Sequence, residues 1–200
     1  MSTEIRRSNE PAAERTYFED LDCAAVRHLE KTYGDSVSPE IFDRMKDLPS
    51  KFETPDTFER SYAGVAGESP SPEVVGFSTG LDAPAHIRAD HFEVVPGTVL
   101  HERIHQLSHP DAARLLGESL YEGVTENYTL RAEGAVPSRE FRAYPNETRE
   151  ARRISLLCGD AAVASVYFNG DGTALRECVE TLLENPLSTL ETTEKEDIHG

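Results

Sequence analysis

The stretch Val99-Leu100-His101-Glu102-Arg103-Ile104-His105-Gln106-Leu107 decides how this chain is read. In helical geometry residues four apart stack on one face, so His101 and His105 present both imidazoles to a common point. This is the HExxH arrangement, in which two neutral imidazoles bind a metal ion and the carboxylate between them, here Glu102, polarises a water. A chain with seven His and 37 acidic residues can also carry such a pair as solvated helix surface, so the downstream sequence decides.

A zinc site open to a substrate takes three protein ligands and keeps a further position for water. Downstream lies Tyr121-Glu122-Gly123-Val124-Thr125-Glu126-Asn127-Tyr128-Thr129, with Glu122 and Glu126 four apart and therefore on one helix face. Two carboxylates so placed repel each other unless positive charge stands near, which a metal and its histidine ligands supply. One carboxylate can ligate, while the other accepts the free ring N–H of a ligating His and fixes its tautomer.

HERIH followed by YEGVTE resembles the gluzincin branch of the zincin metallopeptidases, the thermolysin and aminopeptidase relatives. There HExxH is followed by a helix bearing E-x-x-x-D or E-x-x-x-E. The resemblance runs from Val99 to Thr129 and takes in the preceding strand, where such enzymes hold substrate backbone. It implies His101, His105 and Glu122 as metal ligands, Glu102 as general base and Glu126 as the partner of a ligating His. The implied cofactor is Zn2+, with another divalent transition metal as the alternative. Arg103 stands in a slot more often apolar in that family, and its long side chain is expected to reach back to water.

Other readings of the same residues are weaker. A metzincin pattern would run His101-Glu102-x-x-His105-x-x-Ser108-x-x-Asp111, but Ser108 replaces the turn glycine. The only methionines, Met1 and Met45, lie upstream, so there is no Met-turn. A di-iron bundle needs a second ExxH on a core helix, and Glu196 to His199 lies in a polar tail. For stabilising a developing oxyanion, Tyr144 is preferred over Tyr167, against the ordinary role of tyrosine as a packing residue. His109 reads as a surface loop residue, and His86 and His91 as exposed strand positions or cleft lining. Arg139, Arg142, Arg149, Arg152 and Arg153 read as a solvated helix face. Asn169-Gly170-Asp171-Gly172 lacks the alternating carboxylates and closing Glu of a calcium loop, which leaves a turn.

Composition bounds the rest. Two hundred residues suit one domain with a real core, and a formal net charge of −17 argues against nucleic-acid and anionic-membrane partners. There is no long apolar run and no apolar core near the N-terminus, so the expectation is a cytoplasmic protein. Cys23, Cys158 and Cys178 are odd in number and far apart, which reads as reduced core thiols. Residues 1–14 and the acidic stretch 187–200 read as disordered, with a single zincin-like domain over 15–186 between them.

Periodicity and caps predict helices from Tyr17 to Lys31 and after Ser38-Pro39-Glu40, then a long surface loop over 51–72 with a strand near Tyr62. Two strands, Glu73 to Thr79 and His86 to Val95, are expected as an antiparallel pair just before a helix capped by Thr98. The second half is expected as helices: from Asp111 to Leu130 with a break near Gly117, then 138–157, 161–168 and 173–184. The expected fold is α+β: a small antiparallel sheet packed on a helical half, with the HExxH helix followed by the Glu-bearing helix.

The function this predicts is zinc-dependent hydrolysis of a peptide or amide bond, with a peptide or small molecule as partner. The rivals are a non-peptidase metalloenzyme using the same His/His/Glu site, and a non-catalytic, metal-stabilised binding protein.

Overall fold

The computed structural model describes residues 10–90, 95–133 and 144–184. The expectations for residues 1–9, His91, Arg139, Arg142, Glu196, His199 and the tail 187–200 lie outside them. The described chain is mostly helical with a small sheet, and it divides into two compact units.

The first unit contains α1 (Glu10–Tyr33), α2 (Pro39–Asp47), β1 (Lys51–Glu53), α3 (Pro55–Ala66), β2 (Gly76–Phe77), β3 (His86–Arg88) and α4 (Val95–Leu107). α2 starts where Ser38 precedes Pro39, since a first-turn Pro loses no helical hydrogen bond. The same logic corrects the long loop expected over 51–72, which holds α3 instead. Thr54 precedes Pro55, Asp56 favours the positive helix end, and Gly67 closes the helix with a left-handed φ of 78°. α4 begins at Val95, three positions before the expected cap Thr98, because Pro96 is tolerated in a first turn.

The sheet has the order β1-β3-β2. β2 and β3 pair antiparallel, as expected, with Phe77 opposite His86, while β1 adds a parallel partner with Phe52 opposite Ile87. The sheet is therefore mixed, and the strands are shorter than the sequence runs suggest. One face carries Ile87, packed in a core with Phe18 and Ala25 of α1 and Val95 and Val99 of α4. On the other face Phe77 stacks on His86 and meets Phe58 and Tyr62 of α3 edge-on.

Arg103 does not reach water. It is fully buried, and its Nε and Nη2 donate to the two oxygens of Asp22 on α1 at 2.9 and 2.5 Å. Nη1 donates to the Leu48 carbonyl at 2.9 Å and to Gln106 Oε1 at 2.7 Å. Asp22 also accepts from the backbone N–H and hydroxyl of Ser50, and Gln106 donates to the Ala83 carbonyl at 2.7 Å. The guanidinium fork matches the carboxylate in two-point contact, which a solvent-seeking side chain would forgo.

The second unit contains α5 (Ala112–Leu116), most of α6 (Glu118–Ala132), α7 (Pro145–Cys158), α8 (Asp160–Asn169) and α9 (Thr173–Glu184). Gly117, at φ 76°, makes the expected break between α5 and α6. α8 buries Ala162, Val163, Val166, Tyr167 and Phe168, as a helix apolar on most sides must. Gly123 lets α6 approach α7 closely, because a Cβ there would collide with the Glu147 carbonyl oxygen. Cys158 and Cys178 form a disulfide joining α7 to α9, and Cys23 is exposed. The expectation of reduced core thiols is thus corrected: twenty residues of separation say nothing against a pair that the helical turn brings together.

Replacing Arg103 by Met leaves the Asp22 carboxylate buried without its cation and is expected to cost about 3–5 kcal/mol in urea unfolding. Adding Asp22→Leu should return much of that loss. A single variant within about 1 kcal/mol of wild type would show that the pair does not organise this unit.

Candidate metal centre

α4 carries the histidines one turn apart, and the turn brings their rings together. The ring centroids lie 4.8 Å apart at an interplanar angle of 78°, and the two Nε2 atoms are 3.1 Å apart. Two atoms that each bind one zinc ion at about 2.0–2.1 Å stand roughly 3.0–3.4 Å apart, so the pair has the separation that ligation asks for. The same separation suits an N–H···N hydrogen bond between neutral rings, with the proton's position a matter of tautomer. His101 is buried and His105 half-buried.

Glu102, between them in sequence, is buried against the sheet. A Cβ placed on Gly76 of β2 would fall 2.9 Å from both Glu102 Cγ and Oε1, and 2.5 Å from Thr98 Cγ2. The carboxylate therefore occupies space that only a glycine at this strand position leaves open. Sequence reasoning passed over Gly76, although a glycine inside a strand is the usual mark of such an approach.

On α6, Glu122 is half-buried and Glu126, one turn on, is buried. His101 and His105 of α4 each offer an imidazole ligand atom, and Glu122 of α6 offers a carboxylate oxygen. Two imidazoles and one carboxylate form a donor set that zinc accepts in sites that keep a position open.

Tyr144 precedes α7 with a left-handed backbone (φ 55°, ψ 51°) and an exposed side chain. Tyr167 is fully buried, shares a 2.7 Å hydrogen bond with Thr125 and stacks on Tyr121. Asp111 turns its carboxylate to Arg114 at 3.1 Å, while the Ser108 hydroxyl lies 2.8 Å from the Tyr121 hydroxyl. His86 is not an exposed strand residue, since its Nδ1 sits 3.1 Å from Glu53 Oε1 with both side chains mostly covered. His109 is half-buried, and its Nδ1 accepts the Asp111 backbone N–H. Arg149, Arg152 and Arg153 lie on α7 and all three are exposed as expected, with Arg152 Nε donating to Asn127 Oδ1 at 3.2 Å.

No family model matches the chain, and comparison with curated proteins and with solved structures gives no match. No described helix is long and apolar enough to cross a membrane.

Gly76→Ala is expected to keep the fold but displace the Glu102 side chain, visible as altered Glu102 and Thr98 resonances in NMR spectra. Unchanged resonances would mean the strand does not hold the carboxylate. Burial drives the Tyr167 phenol well above its ordinary range. The folded chain keeps that proton where the unfolded chain loses it, so the stability it contributes is present below about pH 10 and lost as pH rises further. Urea midpoints should therefore fall more steeply between about pH 9 and pH 11 in wild type than in Tyr167→Phe. Parallel profiles would exclude this linkage.

Proposed function

We propose that the chain is a zinc-dependent hydrolase acting on a peptide or amide bond, with His101, His105 and Glu122 as ligands and Glu102 as general base. The observation that carries this reading is the convergence of the two Nε2 atoms, 3.1 Å apart, on a helix whose intervening glutamate is buried beside them in sequence. A bound divalent ion supplies Lewis-acid polarisation of the scissile carbonyl and makes water a better nucleophile at neutral pH.

Glu102 accepts the proton of the attacking water and returns it to the leaving amine, which is the work of a positioned carboxylate near the reacting atoms. Gly76 and Thr98 confine that carboxylate, so little reorganisation is needed when the proton moves. Glu126, buried one turn beyond Glu122, is assigned to the ring N–H of a ligating histidine, which fixes the tautomer that leaves Nε2 free to ligate.

Elemental analysis of protein purified without added metal, together with peptide-hydrolysis assays, tests the proposal. Near-stoichiometric zinc is expected in wild type and in Glu102→Gln, with hydrolysis lowered by about 10²–10⁴-fold in Glu102→Gln. His101→Ala and Glu122→Ala should lose the metal. Absence of metal from wild type, or full turnover by Glu102→Gln, would overturn it.

A further inference from the structure

α9 buries none of its residues, and what it turns inward is a single stripe of half-buried side chains, Leu175, Cys178 and Leu182, three and four residues apart. The central one is the cysteine bonded to Cys158 at the end of α7. The neighbouring α8 is held differently, by five buried side chains. At its start α9 follows a turn in which Asp171 accepts the Thr173 backbone N–H at 3.0 Å and donates its own backbone N–H to the Ser165 carbonyl at 3.1 Å. Beyond that turn no buried side chain anchors the helix, so the disulfide is what fixes residues 173–184.

A helix of 12 residues is marginal in water by itself, because its few turns barely repay the cost of nucleation. Segments with few buried contacts open locally at a much lower free energy than the core they border. A cross-link between residues 20 apart opposes that opening by restricting the open chain, on the order of 10²-fold in population. Neither cysteine is buried, which leaves the bond within reach of a thiolate from solvent.

We propose that the Cys158–Cys178 disulfide is a redox-sensitive latch: closed, it keeps α9 on its unit, and opened by a dithiol it lets α9 detach while α7 and α8 stay folded. One thiolate of the dithiol attacks a bridge sulfur and forms a mixed disulfide, and the displaced cysteine thiolate takes up a proton. The second sulfur of the dithiol then attacks the first across the mixed disulfide and releases the other cysteine, which is protonated in turn. The dithiol loses two electrons and two protons and becomes a disulfide, and the protein gains two thiols. Detachment uncovers Leu175 and Leu182, so the state of residues 173–184 follows the thiol poise of the surroundings.

Hydrogen exchange read by mass spectrometry on the full chain, with and without dithiothreitol and with no denaturant, tests the latch. Alkylation counts the open thiols: one of the three cysteines is expected to react in the oxidised chain and all three after reduction. On reduction the protection of α9 amides should fall on the order of 10²-fold while that of α8 stays within a few-fold, and reoxidation should restore it. Cys178→Ser should show the released α9 without any reductant. A bond that resists dithiothreitol until denaturant is added overturns the proposal, as does an α9 equally protected once all three cysteines are alkylated. Loss of α8 protection together with α9 overturns it too, since the bond would then hold the whole unit rather than one helix.

Discussion

A buried guanidinium must be paired, and meeting that requirement sets the arrangement of the first unit. Arg103 has five N–H donors and no route to water, so its helix can settle only where acceptors stand around it. Asp22 meets it from α1, the Leu48 carbonyl from the end of α2, and Gln106 from one turn along α4. A hydrophobic contact tolerates some sliding, but this two-point ionic contact does not. It fixes the rotation of α4 about its axis, and rotation decides where the neighbouring His101, Glu102 and His105 point.

One part of the candidate centre is independent of that rotation and one part depends on it. The histidine pair is a local product of helical spacing, since any helix would stack residues 101 and 105. The setting of Glu102 is not local. It requires α4 to present residue 102 to β2 and requires β2 to offer a position without a side chain, which Gly76 supplies. In the second unit Gly123, which directly follows Glu122, has a comparable role and lets α6 lie against the Glu147 carbonyl of α7. Tyr121, Thr125 and Tyr128 of α6 meet the buried Tyr167 of α8, so both sides of this helix are held by contacts within the unit.

The covalent link between α7 and α9 shows a different economy. α8 holds its place by burying apolar side chains, whereas α9 buries none and is held by a disulfide.

The sequence by itself determined the features whose causes lie within a few residues. These are the start of α2 at Ser38-Pro39, the break at Gly117, the extents of α8 and α9, the antiparallel pairing of β2 with β3, and the stacking of His101 on His105. Thr54-Pro55 and Gly67 also held the signal for α3, which the surrounding Pro, Gly and Ser residues masked as a loop. Only the tertiary structure decided that Arg103 is buried on Asp22, 81 positions away, that Cys158 meets Cys178, that β1 joins β3 in parallel, and that Gly76 makes room for Glu102. The physical reason is common to all of these. A cap or a helical face is set by bonds reaching three or four residues along the chain. The partner of a buried charge, a thiol or a strand edge is chosen among all segments that packing brings near, and no local pattern names it.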